Sequence, residues 1–380
     1  MKLQGIEPTP SPHTMKLILD ETLPSGKSHN YRQDNKNDAP ELIQELLDIE
    51  GVKGVYHVAD FMALERFPKA DWGEILSKVR TVLGEDEGSS HESSEKSSVQ
   101  PKENFGEIRV FYQMFRQIPM QVKLDIDGEE KRVGLPKRFM DAIMEAQGSS
   151  DNMIMERQWV EQSPRYGDPE EIEKDIVEEL SAAYDHERLN ELVKRAYSQD
   201  SNNEKHAPFK KVTLEMLDDP DWHKRYAALD RMDPSLEDLP VLEKALHDEK
   251  VSIRRLAVVY LGMLEDSKVL PYLYEGLHDK TVTVRRTAGD CLSDMGDPSA
   301  IPEMAKALKD PSRIVRWRAA MFLYEVGDES ALPALKEAAG DPEFEVDMQI
   351  KMAISRIEGG EDAKGSVWQQ MTRTFSKNKK

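Results

Sequence analysis

The sequence predicts a multidomain chain in which two small α+β domains precede an all-α array of stacked helical hairpins. Three observations lead there. The last third repeats with a period of 31 residues, the first half mixes strand-like alternation with amphipathic helical stripes, and two stretches between these parts are too polar to be buried. A chain of 380 residues has room for about two to four domains. The parts fall at 1–84, 105–197 and 209–358, joined by segments 85–104 and 198–208 and followed by a tail, 359–380.

In the first part, residues 14–19 (TMKLIL) read as a strand and Leu23-Pro24-Ser25-Gly26 as a turn. Residues 38–47 carry a capping Asp38 and then Leu42, Ile43, Leu46 and Leu47 on one helical face. VKGVYHV and FMALERF form two strand-like runs joined tightly at Ala59-Asp60. Asp71 caps a helix with Trp72, Ile75, Leu76 and Val79 along one side. Segment 85–104 is dominated by Ser and acidic residues, with Val99 as its sole aliphatic side chain. It cannot offset its ordering entropy by apolar burial, so the sequence predicts a linker.

In the second part, EIRVFYQMF and PMQVKLDID read as paired strands, with Asp127-Gly128 as a turn signal. Residues 136–146 and 168–183 read as amphipathic helices and residues 153–160 as a further strand. Asp185, His186 and Glu187 cluster after the second helix and read as solvated.

The third part carries the period. Pro240, Pro271, Pro302 and Pro333 are spaced by 31, as are Leu239, Leu270, Ile301 and Leu332, then Leu242, Leu273, Met304 and Leu335. Asp248, Asp279, Asp310 and Asp341 repeat in step. Each proline suits the first turn of a helix, where a missing N–H costs little. Each Asp then stands before a second helix, whose orphan N–H groups it can accept. The second helices carry stripes: Ile253, Ala257, Tyr260, Leu261 and Leu264; Val284, Ala288, Cys291, Leu292 and Met295; Val315, Ala319, Phe322, Leu323 and Val326. A lone hairpin cannot bury such a stripe, so the units must stack.

Composition narrows the function classes. Lys+Arg is 52 and Asp+Glu is 72, a net charge of −20, which repels nucleic-acid phosphates and anionic lipid. Partners are therefore expected among proteins, with neither nucleic acid nor membrane among them. No stretch nears the roughly 18 apolar residues of a membrane span, and the amino terminus lacks a signal-peptide core. Cys291 is the one cysteine, so no intrachain disulfide or Cys-x-x-Cys site can form, and a cytoplasmic location is expected.

The blocks DEKVSIRRLAVVYLG, DKTVTVRRTAGDCLSDMGDPSAIP and DPSRIVRWRAAMFLYEVGDESALP resemble HEAT repeats of the bacterial type first named for phycobilisome lyases. The Val-Arg pair of that family matches Ile253-Arg254, Val284-Arg285 and Val315-Arg316. Val346-Asp347 departs from it, as a terminal cap does, and a unit around residues 214–232 fits less well. The resemblance implies a concave binding surface on the second helices. There, outside the core stripe, Arg255, Arg286 and Trp317 stand in register. They are the partner-binding candidates, since Arg and Trp anchor interfaces; an ordinary solvated face is the competing reading. His247 and His278 lie one repeat apart, about 10 Å, too far for easy shared metal ligation. The His-Glu pairs that hold iron in some HEAT proteins occur here only at His91-Glu92 and His186-Glu187, outside the array. Cys291 aligns with Tyr260 and Phe322 and reads as a small buried hydrophobe.

Thr9-Pro10-Ser11-Pro12-His13-Thr14-Met15-Lys16, Leu23-Pro24-Ser25-Gly26, Ile49-Glu50-Gly51-Val52, Asp60-Phe61 and Asp71-Trp72 resemble the amino-terminal domain of Nfu-type iron–sulfur scaffold proteins over residues 6–83. Such proteins hold their cluster on a Cys-x-x-Cys of a separate domain. One thiol cannot replace it, so the resemblance implies a docking or accessory role. The order of parts, with QMFRQIPMQVK in the middle block, resembles the conserved virulence factor C family of Gram-positive bacteria, which is linked to haemolysin production. These readings converge on a non-enzymatic adaptor with no cofactor, no metal and no catalytic residues. An accessory factor in iron–sulfur assembly is one alternative, and a lyase-like enzyme is another.

Overall fold

The computed structural model describes residues 1–9, 11, 13–24, 27–67, 70–84, 107–126, 128–198 and 209–360. The expected linker 85–104, nearly all of 198–208 and the tail from 361 lie outside the described residues, as do parts of the expected turns at Ser25-Gly26 and Asp127. The described residues fall into two compact units: those within Met1–Phe105 and Leu335–Arg356, and those within Gly106–Ala334 and Ile357–Lys380.

The first unit opens with a five-stranded antiparallel sheet ordered β1-β2-β5-β4-β3. Its strands are β1 (Leu3–Pro8), β2 (Thr14–Leu19), β3 (Ser28–Arg32), β4 (Val52–Val58) and β5 (Phe61–Arg66). Helices α1 (Glu41–Asp48) and α2 (Trp72–Leu83) cover one face. Alternation sends Met15, Leu17 and Leu19 of β2 and Met62 and Leu64 of β5 inward, onto Ile43, Leu46, Leu47, Trp72, Ile75 and Val79. Asp71 caps α2 by accepting the Glu74 N–H. Helix α1 starts later than expected, after Pro40, because Asp38 ends a separate 3-10 turn instead of capping it. The edge strands β1 and β3 have weak alternation and escaped the sequence reading.

The inward phase of β5 ends on a charge. Arg66 is 3% exposed, and Glu345 meets it at 2.8 Å. Glu345 belongs to a helix spanning Phe344–Glu358, and its neighbours Phe344 and Met348 pack on the same apolar core. Residues 335–356, placed with the array by their period, thus pack with the amino-terminal domain.

His13 follows β1, and its backbone carbonyl accepts the Arg66 N–H at 2.9 Å. Its Nδ1 is buried without a partner among the described residues. Burial, followed by the positive charges of Arg66 and Lys53, lowers its pKa to about 4 from 6.5. The unfolded chain therefore binds the proton first as pH falls. Stability is full above about 6.5 and is lost progressively towards about 4. We expect the melting temperature of this unit to drop between neutral pH and about 4.5, and His13→Gln to flatten that slope. Parallel slopes in both proteins would remove His13 as the cause.

The second unit begins with the antiparallel sheet β8-β7-β6-β9, built from β6 (Glu107–Phe115), β7 (Ile118–Ile126), β8 (Glu129–Gly134) and β9 (Gln158–Tyr166). Helix α3 (Lys137–Ala146), the short α4 (Met153–Glu156), α5 (Pro169–Ala183) and α6 (His186–Ala196) follow the chain around it. Ile108, Val110, Val122 and Leu124 meet Phe139, Ile143, Ile176, Leu180, Leu189 and Leu192 in one core. The strand expected at 153–160 is instead the turn of α4, capped by Asn152, followed by β9. The cluster at 185–187 is exposed, as expected, and also has a local structural role. Asp185 accepts the Arg188 N–H and starts α6.

The array follows. Helix α7 (Trp222–Asp230) opens it, and hairpins pair α8 (Leu239–Leu246) with α9 (Val251–Met263), α10 (Leu270–Leu277) with α11 (Val282–Met295), and α12 (Ile301–Ala307) with α13 (Arg313–Glu325). The period continues into α14 (Leu332–Ala338) and α15 (Phe344–Glu358). The prolines of α8, α10 and α12 sit in first turns, as expected. The stripe is core: Ile253, Ala257, Leu261, Val284, Ala288, Leu292, Val315, Ala319, Phe322 and Leu323 are each at most 2% exposed. Helices α9 and α11 touch so closely at Gly262 that a Cβ there would lie 2.4 Å from Cys291 Sγ. Helix α11 ends on Gly296 in the left-handed conformation, φ 59°, where glycine pays no steric penalty.

Candidate functional site

The periodic Asp and Arg residues form a ladder along the array. Asp248, Asp279 and Asp310 each accept the N–H two residues ahead, from Lys250, Thr281 and Ser312, at 2.7–2.8 Å. The other edge of each carboxylate receives a two-pronged arginine from the preceding unit. Arg225 meets Asp248 at 2.7 and 2.9 Å, Arg254 meets Asp279 at 2.7 and 3.1 Å, and Arg285 meets Asp310 at 2.7 and 3.0 Å. The third nitrogen of each guanidinium bonds back to a carbonyl six residues earlier, that of Asp219, Asp248 or Asp279. Burial raises the Asp279 carboxyl, but the Arg254 and Thr281 hydrogen bonds outweigh it and hold the group below the usual carboxylate range. The ladder settles the register of the opening unit. Asp219 and Arg225 keep the six-residue spacing of Asp248–Arg254 and Asp279–Arg285, a signal the sequence reading passed over.

The residues that follow the ladder arginines are the expected docking strip. Arg255, Arg286 and Trp317 are in register as expected, and all are buried, at 9%, 2% and 3% exposed. What covers Arg286 is the chain's own middle domain, at the end of β9. The Arg286 guanidinium lies 4.6 Å from the Tyr166 ring centre and donates to the Tyr166 hydroxyl at 3.2 Å. It also lies 5.7 Å from the Trp317 ring and pairs with Asp290 at 2.5 Å. Asp290 in turn receives Arg318 at 2.6 Å. Thr283 Oγ1 donates to the Tyr166 carbonyl at 3.3 Å. In this structure the strip thus faces a protein surface, but one from the same chain.

The Arg255 end of the strip is electrostatically tighter. Arg165 and Glu179 form a buried pair inside the middle domain, at 3.1 and 2.5 Å. Burial raises the Glu179 carboxyl, yet Arg165 and then Arg255 outweigh it and bring it below its ordinary value. Burial, and then the charge of Arg165, lowers the pKa of Arg255. Neither Arg255 Nε nor Arg286 Nε has an acceptor among the described residues. Burial also pushes the Tyr166 hydroxyl and the Glu107 carboxyl up. At the rim, Lys250 pairs with Glu178 at 2.9 Å and Arg188 with Asp230 at 2.6 Å.

Sequence reasoning missed the covering residues Arg165, Tyr166 and Glu179. The available signal was weak: a polar edge strand that ends in Arg165-Tyr166, and one glutamate on the apolar side of α5, next to Leu180. The discounted groups have ordinary partners. His247 meets Glu275 at 2.9 Å, and His278 meets Glu303 at 3.3 Å, each one unit ahead. Cys291 is half-buried, its Sγ 3.6 Å from the Val258 carbonyl, and burial pushes its thiol up. No helix among the described residues is long and apolar enough to cross a membrane.

Comparison with known proteins returns three family matches. Residues 3–88 match the family "Scaffold protein Nfu/NifU N terminal", residues 113–193 match "Virulence factor", and residues 211–289 and 277–355 match "HEAT repeats". The chain is 61% identical to YpgR of Bacillus subtilis (strain 168), over 99% of its own length and 100% of the relative's. It is 49% identical to conserved virulence factor C of Staphylococcus aureus (strain MRSA252), over 98% and 99% of the two lengths. A crystal structure of the Staphylococcus aureus protein SAV1430 is 36% identical, spans 98% of that chain and 22% of this one, and has a TM-score of 0.20.

Proposed function

The chain belongs to the conserved virulence factor C family, and from that premise we propose that it is a non-enzymatic cytoplasmic adaptor whose HEAT array binds proteins in support of haemolysin production. The observation that carries this reading is the strip Arg255, Arg286 and Trp317. It engages an aromatic and carboxylate-bearing protein edge through a cation–ring contact and buried charges, which is interface chemistry of the hot-spot kind. The middle domain adds exposed Met140, Met144, Ile154 and Met155, flexible apolar side chains suited to a further protein contact. Expressed in Staphylococcus aureus lacking its own conserved virulence factor C, the chain should restore haemolysis, and cross-linking with mass spectrometry should return one reproducible partner. Restored haemolysis with no cross-linked protein would sink the adaptor role. No restoration by a soluble, expressed chain would sink the virulence link.

A second reading, an accessory role in iron–sulfur assembly, draws on the match of residues 3–88 to the Nfu/NifU amino-terminal family. Cys291, the single thiol, is a poor ligand with its proton held by burial. The role would therefore be docking to an assembly protein. Failure of the purified chain to bind a cluster scaffold or to alter transfer to an apo-acceptor ends it.

A further inference from the structure

We propose that the inner face of α9–α13 is an exchangeable docking surface: it takes an acidic, aromatic-bearing protein segment from a partner, and the middle domain is the resident occupant which that segment displaces. The proposal deepens the adaptor reading and rests on it.

What covers the strip now shows what it accepts. Arg286 takes the face and hydroxyl of Tyr166, an aromatic group with an oxygen at its tip. Arg255 lies close enough to the Glu179 carboxylate for each to shift the other. Glu107 stands within the field of Arg286 and Arg318. The site chemistry is therefore two cations and an indole, matched by rings and carboxylates.

The resident cover meets that chemistry incompletely. The Nε atoms of Arg255 and Arg286 are buried with no acceptor among the described residues, and an unpaired buried donor favours any state that pairs it. Glu179 is already committed to Arg165 through both of its oxygens. Burial, and then the Arg165 charge, disfavours the Arg255 cation there, with Glu179 offsetting part of it. The rim pairs Lys250–Glu178 and Arg188–Asp230 are partly exposed, so salt weakens them. A segment bearing rings and free carboxylates, without an arginine at the Arg165 position, satisfies the strip better than the domain that occupies it.

The test uses the full chain and a fluorescein-labelled random copolymer of glutamate and tyrosine, with polyglutamate as the ring-free comparison, read by anisotropy. Tyr166→Ala should raise affinity for the copolymer about tenfold, and adding Arg286→Ala should return it to the wild-type level or below. Polyglutamate should bind more weakly throughout. In the wild-type chain, saturating copolymer should speed amide exchange along Gln158–Tyr166, a readout that needs no variant to fold. Unchanged exchange there, a folded Tyr166→Ala chain that gains no affinity, binding that survives Arg286→Ala, or equal binding of polyglutamate would each overturn the proposal. Restored haemolysis together with a reproducible cross-linked partner, alongside any of these, leaves the adaptor reading standing, so the two fail separately.

Discussion

Ala288→Asp is expected to unfold the helical array. Ala288 is fully buried, midway along the α11 stripe between Val284 and Leu292. The neighbouring helix leaves no space: a Cβ placed on Gly276 of α10 would already stand 3.1 Å from the Ala288 Cβ. A carboxylate there meets apolar neighbours on the stripe, and burying an unpaired charge is among the few substitutions that cost about 4–5 kcal/mol or more. For a region of this size that corresponds to a fall in melting temperature of roughly 8–20 °C. Circular dichroism of the full chain measures it, with Ala288→Gly as the comparison, since that change costs only about 1 kcal/mol of helix propensity. A melting temperature within about 2 °C of wild type would mean that the stripe is not core.

Arg285→Ala should come second. The side chains of Arg285 and Asp310 are 12% and 9% exposed, and two N–H···O bonds join them. Removing the guanidinium leaves Asp310 with the Ser312 N–H and deprives the Asp279 carbonyl of its donor. Breaking such a pair from one side costs about 3–5 kcal/mol, most of it from the charge left behind. The double change Arg285→Met with Asp310→Asn removes that charge and keeps the acceptor for Ser312. It should therefore recover part of the loss. Urea unfolding followed by array-sensitive fluorescence separates the cases. If Arg285→Ala shifts the midpoint no more than a surface change such as Lys306→Ala, the ladder is decoration.

The two predictions differ in how they could have been reached. Ala288 is legible from the chain itself, because a 31-residue period repeats it at Ala257 and Ala319 and a helical stripe flanks it with apolar residues. The arginine ladder is only half legible. Its residues recur in step, but periodicity alone cannot say that Arg254 reaches forward to Asp279 and not to the solvent. The strands β2, β4, β5, β6 and β7 were readable because one face is buried and the alternation survives. The edges β1, β3, β8 and β9 were not, because a strand with one neighbour and an open face has little pattern to keep. The stretch 153–160 was misread for a related reason. Met153, Ile154 and Met155 look like the start of a strand, while Asn152 supplies the local cap that turns them into helix.

The amino-acid sequence by itself determined the array: its repeat length, its core stripe, the helix starts at each proline and the in-register strip Arg255, Arg286 and Trp317. These are local or periodic properties, written by the requirement that each helix hide one face on its neighbour. Tertiary structure alone decided what meets that strip. Arg and Trp advertise a protein contact without saying whose. The side chains that complete it, Arg165, Tyr166 and Glu179, lie about 75 to 150 residues away in sequence and follow no period. It likewise decided that Glu345 faces Arg66. Both pairings bury charge against charge from distant parts of the chain, and no local pattern encodes a partner that only folding brings near.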